Sequence, residues 1–137
     1  MSCWKKTKLE TLSNIETEFF LGALDKMGYK ADFSKKKIDR SYENDSRDVD
    51  CVICDKDTGK SINVGMRFSK NEEGNINMTI CADWFYSSAN EKSFKEQFTI
   101  EYNTLKYQQI ASEMNFNTES IETLADGRRR IVMARAA

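Results

Sequence analysis

The sequence predicts an α+β protein, a two-layer sandwich in which two helices pack on one face of an antiparallel sheet. Residues 62–68 and 76–82 alternate apolar and polar side chains, which is typical of strands with one buried face. Apolar residues recur every three or four positions over 15–27 and 94–114, which predicts two helices. The predicted order is β-α-β-β-β-α-β-β, in a single domain that covers residues 1–137.

The first part of the chain is predicted to form an edge strand and then the first helix. The alternation around Leu9 indicates a strand over Thr7–Leu12. Ser13 and Glu16 have the spacing of a capping box, in which each side chain binds an amide of the first helical turn. Gly28 is expected to end this helix in the left-handed conformation that other residues disfavour.

The centre of the chain is predicted to be a three-stranded meander. It follows the polar segment Ala31–Asp48, which we expect to be an exposed loop, with a short strand around Tyr42 as the alternative. Two glycine-containing turns join the three strands as hairpins. The predicted strands are Val49–Cys54, Ile62–Phe68 and Ile76–Asp83.

The second helix carries two apolar stripes, and a hairpin follows it. Ser93 and Glu96 again have capping-box spacing, and Asn115 or Asn117 is expected to end the helix. We expect both stripes to cover the sheet; they consist of Phe94, Phe98, Tyr102 and Leu105, and of Ile100, Tyr107, Ile110 and Met114. Asp126-Gly127 between Ser120–Ala125 and Arg128–Arg135 favours a hairpin with a type I′ turn.

Composition excludes several classes of protein. The 137 residues include 39% hydrophobic and 31% charged side chains, as expected for a chain that buries a core. Net charge is −1, so no global basic field attracts nucleic acid or an anionic membrane. Histidine is absent, which excludes catalytic sets and zinc sites built on His. Because His and any recognisable catalytic set are missing, we expect no enzymatic activity, and we expect no cofactor or metal. Because no leader or membrane-length apolar run is present, we expect a cytoplasmic protein.

Cys51 and Cys54 have the Cys-x-x-Cys spacing of zinc and redox sites. Both lie within a predicted strand, where residues three apart point to opposite faces. A zinc site would also need Cys3 and Cys81, which form no second pair. We therefore expect buried, reduced strand cysteines, with a metal site and redox chemistry as the alternatives.

A partner-binding site is predicted at an aromatic cluster and a basic run. Trp84, Phe85 and Tyr86 end the third meander strand and are candidate hydrophobic anchors, with Arg128, Arg129 and Arg130 as charged contacts. The alternative is that Trp84 and one neighbour close the core while the arginines are solvated. Aromatic and basic side chains together also suit single-stranded nucleic acid.

Short motifs that together are typical of one protein family are spread over almost the full length of the chain. These are Met1-Ser2 with Trp4, Met27-Gly28-Tyr29, Val49–Ile53, Val64-Gly65-Met66, Asn71 with Gly74, Ala82-Asp83-Trp84, Tyr102, and Asp126-Gly127 before Ile131-Val132. Through them the chain resembles the hypothetical chloroplast frame thirty-five family of small plastid, cyanobacterial, bacterial and phage proteins. The sequence departs from the family pattern at Cys3, at Asn115 where a glycine is usual, and at Arg135-Ala136 where Arg-Trp is usual.

The family has no established activity, and the resemblance implies an accessory protein of a larger machine, such as an AAA-type ATPase. Our first hypothesis is therefore a non-enzymatic adaptor that binds another protein or protein complex. The alternatives are a phage or mobile-element inhibitor that binds a host defence complex stoichiometrically, and a nucleic-acid-binding module. An enzyme would need Asp83, Cys81 or Cys3 as its reactive group, and the sequence provides no partner for them.

Overall fold

A five-stranded antiparallel sheet with two helices on one face forms the centre of the molecule. The computed structural model describes residues 4–8, 12, 14–39, 46–85 and 87–135. The predicted α+β fold class is confirmed, although the described residues form nine strands rather than the six predicted. The helices are α1 (Thr17–Lys26) and α2 (Glu91–Glu113), and the strands are β1 (Lys5–Lys8), β2 (Tyr29–Asp32), β3 (Lys37–Asp39), β4 (Ser46–Asp48), β5 (Cys51–Asp55), β6 (Ser61–Lys70), β7 (Ile76–Ala82), β8 (Phe116–Thr123) and β9 (Arg129–Arg135).

The strand order in the central sheet is β1-β7-β6-β5-β2, and every neighbouring pair is antiparallel. Strands β5, β6 and β7 are the predicted meander, with Val64 paired to Ala82 and Ile53 to Val64. The predicted edge strand exists but begins earlier, because Lys5–Lys8 is the segment that pairs with β7. Residues 9–11 lie outside the described part of the chain, and Leu12 is buried in the core.

The main core lies between the sheet and the two helices. The Phe20 ring lies 5.2 Å from that of Phe68 on β6 and 5.9 Å from that of Phe98 on α2. Tyr102 is 1% exposed and packs edge-on against Phe19, so the first predicted stripe of α2 does cover the sheet. Each fully buried side chain of this size contributes about 1.5–3 kcal/mol of transfer free energy. Neither helix is long and apolar enough to cross a membrane, within the described ranges.

Both predicted capping boxes are wrong. Glu16 is itself the residue before α1, it makes no side-chain cap, and its amide donates to the Tyr102 hydroxyl at 2.9 Å; Ser13 lies outside the described residues. At α2 the cap is Asn90, whose side chain accepts a hydrogen bond from the Ser93 amide at 3.1 Å. A tertiary contact replaces the local cap in the first helix, and a better capping residue three positions earlier replaces it in the second.

A second, smaller core lies on the opposite face of the sheet. The segment predicted as a loop contains β3 and β4, which pair as a hairpin, while Tyr42 lies outside the described residues. Ile38 on β3 is 2% exposed and packs with Val49, Val52 and Cys81. One apolar residue among polar neighbours gives little sequence signal, but it is enough to anchor this hairpin to the sheet.

Both helix ends and the β8–β9 turn lie where they were predicted, but the turn is of a different type. Gly28 at φ 85° ends α1 and Asn115 at φ 63° ends α2, as expected. In the β8–β9 turn only Gly127 has positive φ, 88°, whereas a type I′ turn requires positive φ at Asp126 as well. The Gly127 amide donates to the Leu124 carbonyl at 3.0 Å, so this connection is a type I turn followed by a left-handed glycine.

Candidate functional site

The aromatic residues of the predicted site differ widely in exposure. Trp84 is half-buried, and its ring centroid lies 5.9 Å from that of Phe94 at the start of α2. Phe85 is 75% exposed, and Tyr86 lies outside the described residues. Trp84 therefore contributes to the main core, as the alternative interpretation expects, and Phe85 is the one described aromatic of this cluster that a partner can reach fully.

The three arginines alternate along the hairpin and do not form one patch. Arg128 pairs with Asp126 at 2.6 Å, with 78% of its side chain exposed. Arg130 pairs with Glu122 at 3.1 Å, with 62% exposed. Arg129, whose side chain is 23% exposed, instead turns to α2 and forms an ion pair with Glu101. Of these three side chains, Arg129 thus holds the hairpin against the helix.

A large apolar groove lies between α2 and the β8–β9 hairpin. The second stripe of α2 does not cover the sheet, since Tyr107 is 55%, Ile110 41% and Met114 62% exposed. Across from this stripe lies the face of β9 that carries Ile131 and Met133, and the open groove between them measures about 490 Å³. The lining is completed by Ala111, Phe116 and Arg129.

The hairpin is available for binding because little of it is buried. An isolated pair of strands is marginally stable in water, so β8–β9 depends on its packing against α2. Ile121 is 43% exposed and pairs directly with Ile131, so both side chains lie on the groove face. The bulge between Thr118 and Ser120 bends β8 within this contact region.

The charges around the groove are uneven. Its lining contains Arg129 and no carboxylate. Arg135 is exposed and pairs with Phe116, which places it on the groove face at the end of β9. The carboxylate of Glu101, which is 5% exposed, binds the lining residue Arg129 and accepts a hydrogen bond from the Gln97 side-chain amide at 3.1 Å.

Cys51, Cys54 and Cys81 are buried in the sheet as free thiols, as expected for strand cysteines, and Cys3 lies outside the described residues. Cys51 faces the main core and Cys54 the second core, in agreement with the predicted opposite orientation. Burial raises the pKa of the Cys51 thiol to about 12, so it stays protonated at neutral pH. Among the described residues no group of three Cys, Asp or Glu side chains is placed to hold a metal ion.

Comparison of the chain with protein-family models, with curated proteins and with solved structures finds no match.

Proposed function

We propose that this protein is a non-enzymatic adaptor that binds another protein through the groove between α2 and the β8–β9 hairpin. The exposed stripe Tyr107, Ile110 and Met114, set against Ile131 and Met133, carries the proposal. Contiguous exposed apolar side chains that line a groove commonly mark docking sites on soluble proteins. The resemblance to accessory proteins of larger machines supports the same class of function.

The occupant that fits this groove is an amphipathic helix with an acidic residue at one end. Both walls present side chains rather than strand edges, which is how proteins recognise the apolar face of a helix. The stretch from Tyr107 to Met114 is about 10 Å long at 1.5 Å per residue, so it matches about two turns of a bound helix. Arg135, which pairs with the lining residue Phe116 at the end of β9, favours a carboxylate there, and no acid in the lining opposes it.

The proposal is tested by affinity capture from a lysate of the organism that encodes the protein, with nuclease present throughout. The groove variant combines Ile110→Glu and Met133→Glu, which place charge on both walls. Leu21→Glu on α1 is the matched control, because Leu21 and Ile110 are each 41% exposed. We expect a stoichiometric partner that the wild type and the control retain and the groove variant loses by at least about tenfold, or 1.4 kcal/mol.

Three results would contradict this assignment. If the groove variant captures the same partner as the wild type, the groove is not the docking site. If Phe85→Ala abolishes capture and the groove variant does not, the aromatic cluster is the anchor, as the sequence alone suggested. If the purified protein forms a dimer that the groove variant disrupts, the groove is occupied by a second copy.

A further inference from the structure

The face of the sheet opposite the helices holds an open cleft with an excess of cations around it. The cleft measures about 360 Å³ and is lined by Lys6, Arg67 and Thr79 together with Asp48, Asp50 and neighbouring residues of β6. Strand pairing places Lys6 beside Cys81 and Arg67 beside Thr79, so the two cations lie on β1 and β6, on either side of β7. Lys6 is exposed and Thr79 is half-buried, so this area is accessible to a ligand.

Two of these cations have no ion-pair partner among the described residues, namely Lys6 and Arg67. Arg67 is held in place by its Nε, which donates to the Asp48 carbonyl at 2.6 Å, and this leaves both terminal nitrogens for another acceptor. Arg47 lies 5.1 Å above the Trp4 ring on the same side of the sheet. Lys36 approaches from the β3–β4 side, where its Nζ donates to the Asp50 carbonyl at 3.0 Å.

The positive charges converge near Cys81. Burial raises the pKa of the Cys81 thiol, while Arg67, Lys6 and Arg47 each offset part of that rise. These three residues come from β6, β1 and β4, and Lys6 is the direct neighbour of Cys81 across the β1–β7 pair. Although the net charge of the whole chain is −1, Lys6, Arg47 and Arg67 therefore place positive charge together on this face of the sheet.

We propose that this face binds the phosphate backbone of a nucleic acid, as a function separate from the proposed docking groove. Asp48 and Asp50 lie within the cleft and would repel a small anion seated there. Lys6 and Arg67 line the same cleft from the two strands that flank β7, and Arg47 and Lys36 lie on neighbouring elements, an arrangement that suits an extended chain of phosphates crossing the face. Trp4 is half-buried beneath Arg47, so the contacts are to phosphates and the binding is independent of sequence.

The test measures binding of the full chain to a labelled oligothymidylate and to a mixed-sequence duplex across a series of salt concentrations. The variant pairs Lys6→Glu with Arg67→Glu. Its control pairs Arg128→Glu with Arg130→Glu, which changes net charge equally at two more exposed arginines of the β8–β9 hairpin. Circular dichroism and thermal unfolding establish that each variant is folded; if Arg67→Glu unfolds the chain, Lys6→Glu with Lys36→Glu replaces it.

We expect binding that weakens with salt, and a loss of about tenfold or more at low salt for the Lys6 and Arg67 variant alone. Loss of two phosphate contacts lowers the salt slope by about 1.4 for a single strand and about 1.8 for a duplex. The comparison of the two probes shows which form is the ligand. Absence of binding at low salt overturns the proposal, and so does equal weakening in the hairpin control.

Discussion

The ion pair between Arg129 and Glu101 should stabilise the hairpin that forms one wall of the groove. Replacing Arg129 with Met keeps the aliphatic packing and leaves the Glu101 carboxylate, 7% exposed, without its cation. Breaking a buried pair in this way costs about 3–5 kcal/mol. Because Arg129 is 23% exposed and Gln97 still donates to the carboxylate, we expect a smaller loss of about 2–3 kcal/mol.

The assay is urea unfolding, with the free energy extrapolated to water for a double-mutant cycle. Adding Glu101→Gln to Arg129→Met removes the unpaired charge and should recover about 1 kcal/mol. Arg130→Met is the control, since Arg130 is 62% exposed and its pair with Glu122 is worth at most about 1 kcal/mol. A loss below about 0.5 kcal/mol for Arg129→Met, or an absence of coupling, would refute this role for the pair.

Three further predictions concern the sheet. Gly65→Ala should lower the free energy of unfolding in urea by about 1–3 kcal/mol, because the added Cβ would lie 2.9 Å from Val49 Cβ and closer still to a Val49 methyl group. Adding Val49→Ala should recover part of the loss, and a neutral effect of Gly65→Ala would contradict this packing. The Lys5 ammonium, 2.7 Å from the Glu91 carboxylate, lowers the pKa of that carboxyl. Lys5→Met should therefore destabilise the protein at pH 7 by about 0.5 kcal/mol, and the difference from the wild type should disappear as pH falls below about 4 and Glu91 becomes protonated. A difference that persists at acid pH would contradict this prediction. Cys51 should resist alkylation by iodoacetamide at pH 8 until the chain unfolds, because its thiol is buried and protonated; peptide mass spectrometry measures the labelling. Rapid labelling of the native protein would contradict the burial of this thiol.

The meander could be predicted because its pattern is local. Alternation through Ile62, Val64 and Met66 determines which face of β6 is buried, and the structure places these side chains in the main core. The β3–β4 hairpin could not be predicted in the same way. The hairpin is anchored because Ile38 packs against Val49 and Val52 on one face of the sheet. No local pattern in the sequence indicates these contacts, because they form only when the strands come together.

The expectation that both stripes of α2 cover the sheet is wrong, and helical geometry gives the reason. At 100° per residue, the stripe of Phe94, Phe98, Tyr102 and Leu105 and the stripe of Ile100, Tyr107, Ile110 and Met114 point about 170° apart. One sheet cannot cover both sides of a helix, so the second stripe needed another partner. The prediction of a site at Trp84 rests on residue type alone. No local pattern in the sequence indicates that the Trp84 ring packs on Phe94.

The location of the binding surface is tested most directly by site-specific photocrosslinking in cells of the organism that encodes the protein. A photoreactive phenylalanine analogue replaces Tyr107, which is 55% exposed in the groove, or Phe85, which is 75% exposed at the end of β7. If partners dock in the groove, the probe at position 107 forms a discrete crosslinked protein and the probe at position 85 does not. A crosslink at position 85 alone would contradict the groove and return the site to the aromatic cluster.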